Sequence, residues 1–437
     1  MPAARSSGGA ESSAPSSSLT SPDVAAIERL EAQLAQSQLQ LAELAQRYDE
    51  ISQSTAYRVG SMLSRSPLGT LYRMLARSKT EVAGTAAESP AAVPTVSPVQ
   101  TQRVPPVQLP ADMLAALEAI QAGEPVAVAH PDWLGIRSSA TQMFEHLLCV
   151  GDDLTPAYAQ LLALRLAERG PSAIVFQGFP YTYQYLVEAL HREANHLPLY
   201  AVWHGTFMQA SEDYAWRSFR LVCALQRQGK IRRIGCVKRG QDEVLRHNGV
   251  EAGYLLNGYR QVPSGASQLA AGPARLGIWS ISELKHKPPY EMLAAASMID
   301  GAMVVGSVAS PRMREFCQEF GVAYDFVGSM VPQAQMPQHL ATCHVNLYVT
   351  LNECAPMLPL ESFAAGVPCI VGPNTPYFED DPYLHEKLVV RVPDDAKEIA
   401  ERIKGVLLER DAIMEAYRVY ALRHNAAAAE TIARFLA

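Results

Sequence analysis

The sequence predicts an α/β protein with two doubly wound domains. Three observations carry this. From about residue 112, short runs rich in Val, Ile and Leu alternate with stretches of helical period, the pattern of parallel strands covered by helices on both faces. A Gly-, Ser- and Ala-rich break at 264–274 interrupts the alternation, which then restarts, so two sheets are expected. The chain has 437 residues, 48% hydrophobic and 19% charged, enough for more than one buried core.

The N-terminal region has a different character. Residues 1–22 are Ser-, Ala- and Gly-rich without periodicity and read as disordered. Over 23–55, Ile27, Leu30, Leu34, Leu41, Leu44, Tyr48 and Ile51 recur in steps of three and four, with Ser37 in one slot of the register. This nearly four-heptad pattern predicts a coiled coil over 27–51 that makes a homodimer or binds a partner. One amphipathic helix docked on its own protein is the competing reading. Residues 56–80 carry Arg58, Arg65, Arg73, Arg77 and Lys79 with no acid, interleaved with Leu63, Leu68, Leu71, Tyr72 and Leu75. Such a stretch suits peripheral contact with an anionic membrane surface; a solvated helix pair broken at Pro67 and Gly69 fits equally. A Pro/Ala/Ser-rich spacer over 81–110 leads to the first domain, 111–270, and the second, 271–437 with C-terminal helices.

In the first domain VAVAH (126–130) is a strand, followed by a helical face of Met143, Phe144, Leu147 and Leu148. Thr155-Pro156 open a helix that Gly170-Pro171 close. AIVFQ (173–177), LYAVW (199–203), IGCV (234–237) and YLLNG (254–258) complete the strand set. In the second domain the strands are LGIW (276–279), MVVG (303–306), VNLYV (345–349) and CIVG (369–372), with helices at 289–299, 310–320 and 334–342. Ligands of such folds bind at the carboxyl ends of the strands, and two such domains leave a cleft between them.

One stretch places chemistry there. In LNECAPMLPLESFAAGVPCIVG (351–372), Glu353 and Glu361 stand in otherwise apolar or small surroundings, where unpaired carboxylates are costly. VNLYV ends at Val349; Pro356 and Pro359 suit a loop and a first helical turn. Glu353 then lies in the loop ahead of a helix starting near 356–358, and Glu361 lies one to two turns inside it. Free N–H groups at a helix start favour a diphosphate. Glu353 can accept from hydroxyls of a ligand lying across that start, and Glu361 from hydroxyls further along. A nucleotide sugar has that shape. A carboxylate capping its own helix, beside one exposed Glu, is the plainer alternative.

The stretch resembles the E-x7-E segment of the retaining glycosyltransferases of family 4, and the resemblance extends over most of 125–420. It implies the GT-B fold, two Rossmann-like domains facing across a cleft. It implies transfer of a hexosyl group from a nucleotide diphosphate-sugar donor to a glycan, lipid-linked or protein acceptor. Carried over, Glu353 contacts the donor sugar and Glu361 the ribose, with Cys354, Ala355 and Pro356 shaping the donor loop. WSISELKHKPPYEMLAAASMI (279–299) resembles the phosphate-binding lysine segment, with Lys287 aligned best and Lys285 next. FVGSM (326–330) takes the place of the loop against the nucleobase, which brings in Gly328 and Ser329. VLRHNGVEAGYLLNGYR (244–260) resembles the end of the first domain. VWHGT (202–206) puts His204 past a strand end, where the resemblance implies a histidine facing the cleft and a hydrogen-bonded structural histidine is the alternative; HPDWLGIRSSA (130–140) resembles the first glycine loop, which makes Gly135, Asp132, Trp133 and Arg137 acceptor-side candidates, or plain loop residues, before a helix starting at Ser138 or Ser139. The chain departs from the family at Cys354, where glycine is usual, and in having no arginine shortly before the phosphate lysine.

Other classes are disfavoured. The net charge of −7 argues against nucleic-acid binding. The seven cysteines form no C-x2-C pair and read as reduced core residues of an intracellular protein. No signal peptide or membrane-spanning run is visible, so a cytoplasmic location is expected, peripheral at the inner face of the membrane if residues 56–80 bind lipid. No Asp-x-Asp-type metal site is required, so neither metal nor cofactor is expected, the nucleotide sugar being a substrate. Two alternatives remain: a non-catalytic coiled-coil assembly subunit with a degenerate pocket, and an epimerase or phosphorylase on the same architecture.

Overall fold

The computed structural model describes residues 108–263, 265–267, 272–279, 287 and 289–437. The expectations for 1–80, most of the spacer and Lys285 lie outside them.

The first sheet gathers α1 (Ala111–Glu118), β1 (Pro125–Ala129), α2 (Leu134–Met143), β2 (His146–Cys149), α3 (Pro156–Arg169), β3 (Ala173–Gln177), α4 (Tyr183–Glu193), β4 (Leu199–Trp203), α5 (Asp213–Arg227), β5 (Arg233–Cys236), α6 (Gln241–His247) and β6 (Ala252–Tyr254). Its strands are parallel in the order β2-β1-β3-β4-β5-β6. Continuous apolar runs make β1 and β3 because both faces are covered. The boundary signals of α3 act as expected: the Thr155 side chain accepts from the Tyr158 N–H, and Gly170 ends the helix at φ +63°.

The second sheet gathers β7 (Arg275–Gly277), α7 (Tyr290–Ser297), β8 (Met303–Gly306), α8 (Pro311–Glu319), β9 (Ala323–Phe326), α9 (Met336–Leu340), β10 (Val345–Tyr348), α10 (Met357–Ala364), β11 (Cys369–Val371), α11 (Pro382–Leu388) and α12 (Ala396–Leu436). Its parallel order is β11-β10-β7-β8-β9. The order reverses direction between β7 and β10. A crevice opens at such a switch point beyond the strand ends. In the first sheet the corresponding point lies between β1 and β3. Helix α12, kinked at Glu409, returns to the first sheet: the Tyr200 hydroxyl donates to the Leu436 carbonyl at 2.8 Å, and Arg233 reaches the Phe435 carbonyl. The described residues all belong to one compact unit.

Several expectations change. Leu147 and Leu148 are not on a helical face but in β2, an edge strand whose four residues are too few for a period and which exists through its pairing with β1. Helix α2 starts at Leu134, not at Ser138 or Ser139; both serines are buried and use their hydroxyls across the cleft instead of capping. The last strand of the first sheet is Ala252–Tyr254, which leaves Asn257-Gly258 in the connection to the second sheet. The AYDF strand β9 was not anticipated, because its half-exposed edge position needs little apolar sequence. The helix expected over 334–342 is a 3-10 turn, Gln333–Gln335, followed by the short α9.

Candidate functional site

The switch point of the second sheet brings two predicted residues together. Lys287 follows β7 and Glu353 follows β10, and these strands are hydrogen-bonded neighbours. Lys287 Nζ stands 2.5 Å from Glu353 Oε2. The Tyr348 hydroxyl, from the end of β10, donates to the same carboxylate oxygen at 2.8 Å, and the Cys354 N–H donates to Oε1 at 3.0 Å. Burial and the Glu353 charge hold the Tyr348 phenol well above its ordinary range. Burial, helped by Glu353, pushes the Cys354 thiol up to about 12, so it stays a neutral wall residue.

Helix α10 begins just beyond. Pro356 is its boundary residue, without a side-chain cap, and its carbonyl accepts from the Tyr377 hydroxyl at 2.7 Å. Glu361 lies inside the helix, 6% exposed. Its Oε1 accepts from the Ser138 hydroxyl of α2 and from Gln333 Nε2 at 2.7 Å. Among the described residues no cation balances it, and burial raises its pKa against the pull of those two donors. Under α10, buried Asn346 bridges Trp279 Nε1 at 2.8 Å and the Ser362 hydroxyl at 2.7 Å. That bridge requires Gly277 on the neighbouring strand, since a Cβ there would collide with the Asn346 amide.

The opposite wall comes from the strand ends of the first sheet. Asp132, Trp133 and Gly135 after β1 and His204 after β4 line the same cleft, a cavity of about 600 Å³ shared with Lys287, Glu353, Cys354, Ala355, Pro356 and Glu361. His204 Nε2 pairs with Gln177 Oε1 at 2.8 Å. Burial pushes its imidazole down to about 3, so it is neutral at ordinary pH. Gly178, at φ +70°, leaves room for the Trp133 ring; a Cβ would meet that ring at 2.5 Å.

The remaining predicted residues divide. Gly328 and Ser329 are exposed and off the cleft lining; Met330 and Gln333, further along the same connection, line it instead. Arg137 turns to the Pro131 carbonyl at 2.7 Å and does not line the cleft. Asp132 lines it as an exposed carboxylate. Sequence reading did not single out Asn257 as a site residue, though it lay within the quoted NG signal. Asn257 is 2% exposed; its Nδ2 donates to the Ala355 carbonyl at 2.6 Å and its Oδ1 accepts from Ser139 at 2.8 Å. His424 of α12 bonds its carbonyl at 2.8 Å. It therefore ties both walls and the returning helix at one point. Among the described residues no helix is long and apolar enough to cross a membrane, and no three metal-ligating side chains gather.

No family model and no curated protein matches the sequence. Solved structures do match. Anabaena HepE in complex with UDP and glucose aligns at TM-score 0.53 and 12% identity, covering 72% of this chain and 99% of that one. Anabaena HepE in complex with UDP-glucose aligns at TM-score 0.50 and 11% identity, covering 71% and 99%. A sucrose-phosphate synthase from Thermosynechococcus elongatus aligns at TM-score 0.47 and 13% identity, covering 72% and 95%. At such identities the likeness speaks for the fold: the chain has the α/β GT-B architecture, two doubly wound parallel sheets facing across a cleft.

Proposed function

We propose that the chain is a glycosyltransferase that moves a hexosyl group from a nucleoside diphosphate sugar to a hydroxyl acceptor, with retention of anomeric configuration. The observation that carries this is the convergence of Lys287, Glu353 and the start of α10 at one switch point, with Glu361 further along the same helix. A diphosphate over the helix start meets free N–H groups and the Lys287 ammonium, which offset the charge that grows as the anomeric C–O bond breaks. It competes with Glu353 for that ammonium, which frees Glu353 to accept from sugar hydroxyls. Glu361 accepts from ribose hydroxyls in place of Ser138 or Gln333. His204, neutral, offers a hydrogen bond rather than a charge. The acceptor oxygen bonds the anomeric carbon and its proton leaves with the diphosphate. Charge is handled by this lysine and this helix, with no metal invoked. Surface polysaccharide, lipopolysaccharide or another glycan is the product class, made at the cytoplasmic side, with residues 27–51 as the associating segment.

The test is a panel of nucleotide sugars read as released nucleotide, run on the full chain and on Lys287→Ala and Glu361→Ala. Strong loss in both variants, with unchanged circular dichroism, supports the assignment; full activity in both sinks it. The buried Cys354 in a position usual for glycine favours a second reading, a non-catalytic assembly subunit. Calorimetry with a set of nucleoside diphosphates separates the two, since heat is expected only of a working pocket. Light scattering before and after removal of residues 1–80 tests the association.

A further inference from the structure

A second chamber opens off the first-sheet wall. It has a volume of about 320 Å³ and shares Trp133, Ile136, His204 and Gln209 with the cleft. Its walls are aromatic. Trp133 meets Tyr214 edge-on at 6.5 Å and stacks on His130 at 5.1 Å. Tyr214 is braced by Tyr181, whose ring lies 4.8 Å away and whose hydroxyl donates to the Tyr214 carbonyl. Among the described residues no Lys or Arg lines the chamber; the titratable side chains that do are Glu212, His204 and Tyr214. His204 is neutral, and burial followed by the charge of Asp152 pushes the Tyr214 phenol up to about 12, so it is neutral too. The nearest arginines of α5 are engaged outside: Arg217 with Asp213 at 2.6 Å, and Arg220 over the Trp216 ring. The one charge on the lining is therefore negative.

The rim is apolar and exposed. Phe207 is 43%, Met208 56% and Trp216 42% exposed. Phe219 joins this rim to the chamber, with ring centroids 6.1 Å from Phe207, 6.3 Å from Trp216 and 5.1 Å from Trp203. An exposed apolar patch continuous with a pocket marks a binding surface.

We propose that this chamber holds the acceptor and selects an uncharged glycoside with an apolar aglycone, excluding phosphorylated sugars. The electron-rich face of Trp133 suits the C–H face of a sugar ring. Glu212 accepts from its hydroxyls. An anionic acceptor would enter a chamber whose described lining offers no cation and one like charge. The aglycone lies across Phe207, Met208 and Trp216. The proposal rests on the sugar-transfer reading only in naming the ligand an acceptor.

Tryptophan fluorescence of the full chain, without donor, tests it. The probes are methyl and hexyl β-glycosides of glucose, galactose and mannose, below their micelle thresholds, and the 6-phosphates of the same sugars. At least one sugar is expected to quench saturably, with the hexyl glycoside about tenfold tighter than the methyl and the 6-phosphate at least tenfold weaker than either. Glu212→Lys is expected to admit the 6-phosphate, and Phe207→Ser with Met208→Ser to remove the hexyl advantage. Binding of 6-phosphates as tight as that of neutral glycosides, no glycoside binding at all, or a hexyl advantage that survives the rim substitutions overturns the proposal. Nucleoside diphosphate calorimetry on the same sample keeps the two readings apart. Nucleoside diphosphate binding without glycoside binding refutes only this inference. Glycoside binding without binding of any of UDP, GDP, ADP, CDP and dTDP refutes only the sugar-transfer reading.

Discussion

On the second-sheet wall of the cleft, Lys287 and Glu353 stand 2.5 Å apart, and a second carboxylate, Glu361, is buried one helix along. On the first-sheet wall, His204 is held neutral by burial, aromatic rings supply the surface, and Glu212 is the one charge lining the side chamber. One wall is built to bind charge and the other to accept ligands without it. The difference follows from position. A sheet switch point brings two strand-end loops side by side, so a cation and an anion can meet there; β4 ends instead against the 3-10 turn Phe207–Ser211 and α5, whose sequence is aromatic. On the proposed sugar-transfer reading, the two walls correspond to the two halves of the reaction, a charged donor and an uncharged acceptor.

The largest effect that can break this comparison comes from Lys287→Ala. It removes the only cation on the cleft lining among the described residues and leaves Glu353 unpaired. Turnover of the best nucleotide sugar should fall by about 10²–10³, the usual cost of losing one group that stabilises developing charge. Steady-state release of nucleotide measures it; a loss under threefold would mean that charge is not concentrated on this wall.

Asn257→Ala should come next, because Asn257 ties the walls together. Its removal strands the Ala355 carbonyl and the Ser139 hydroxyl in a buried place. That costs roughly 1–3 kcal/mol of stability, read by denaturant unfolding. Nucleotide binding should weaken along with turnover, since Ala355 sits at the start of the helix proposed to hold the diphosphate.

How much of this was legible follows from what each feature depends on. The strands AIVFQ, LYAVW and MVVG could be read because continuous burial on both faces leaves an unbroken apolar run. Glu353 and Glu361 could be singled out because carboxylates in such a run are costly. The short edge strands β2 and β9 could not, since their existence depends on pairing rather than on pattern. Ser138 and Asn257 were also beyond reach as site residues. Their partners lie 223 and 98 residues away, on the other side of a domain boundary, and no local rule encodes how two domains face each other. The Lys287–Glu353 pair is an intermediate case: the resemblance supplied both residues, but their contact comes from the neighbouring positions of β7 and β10.

Glu361→Gln sharpens the comparison with a smaller effect. The buried carboxylate has a raised pKa and hydroxyl and amide donors but no cation. A group whose folded-state pKa is raised favours folding below its unfolded value, and that contribution is lost as pH rises through the folded value. At neutral pH the ionised Glu361 therefore weighs against stability, and the isosteric amide does not. Thermal melts should show Glu361→Gln above the parent chain at pH 7, with the gap closing as pH falls toward 4.5. A gap that widens on acidification would mean that an unrecognised cation holds Glu361.

The smallest expected effect is a flat response, and it tests directly whether the first-sheet wall offers a cation. His204 has the one imidazole on the lining of both cavities, and burial pushes it down to about 3. Unfolded, it would titrate near 6.5. A depressed imidazole binds no proton in the folded chain between pH 5 and 8, so it adds no limb to the pH dependence of turnover there. It does take up a proton on unfolding below pH 6.5, so its environment loses stability as pH falls from that value toward 3. Nitrogen-15 spectra of the full chain should therefore keep the His204 resonance in its neutral form from pH 8 to pH 5, with Gln177 as its partner at Nε2. A midpoint near 6.5 for that resonance would place a positive charge on the first-sheet wall and end the division of labour between the two walls.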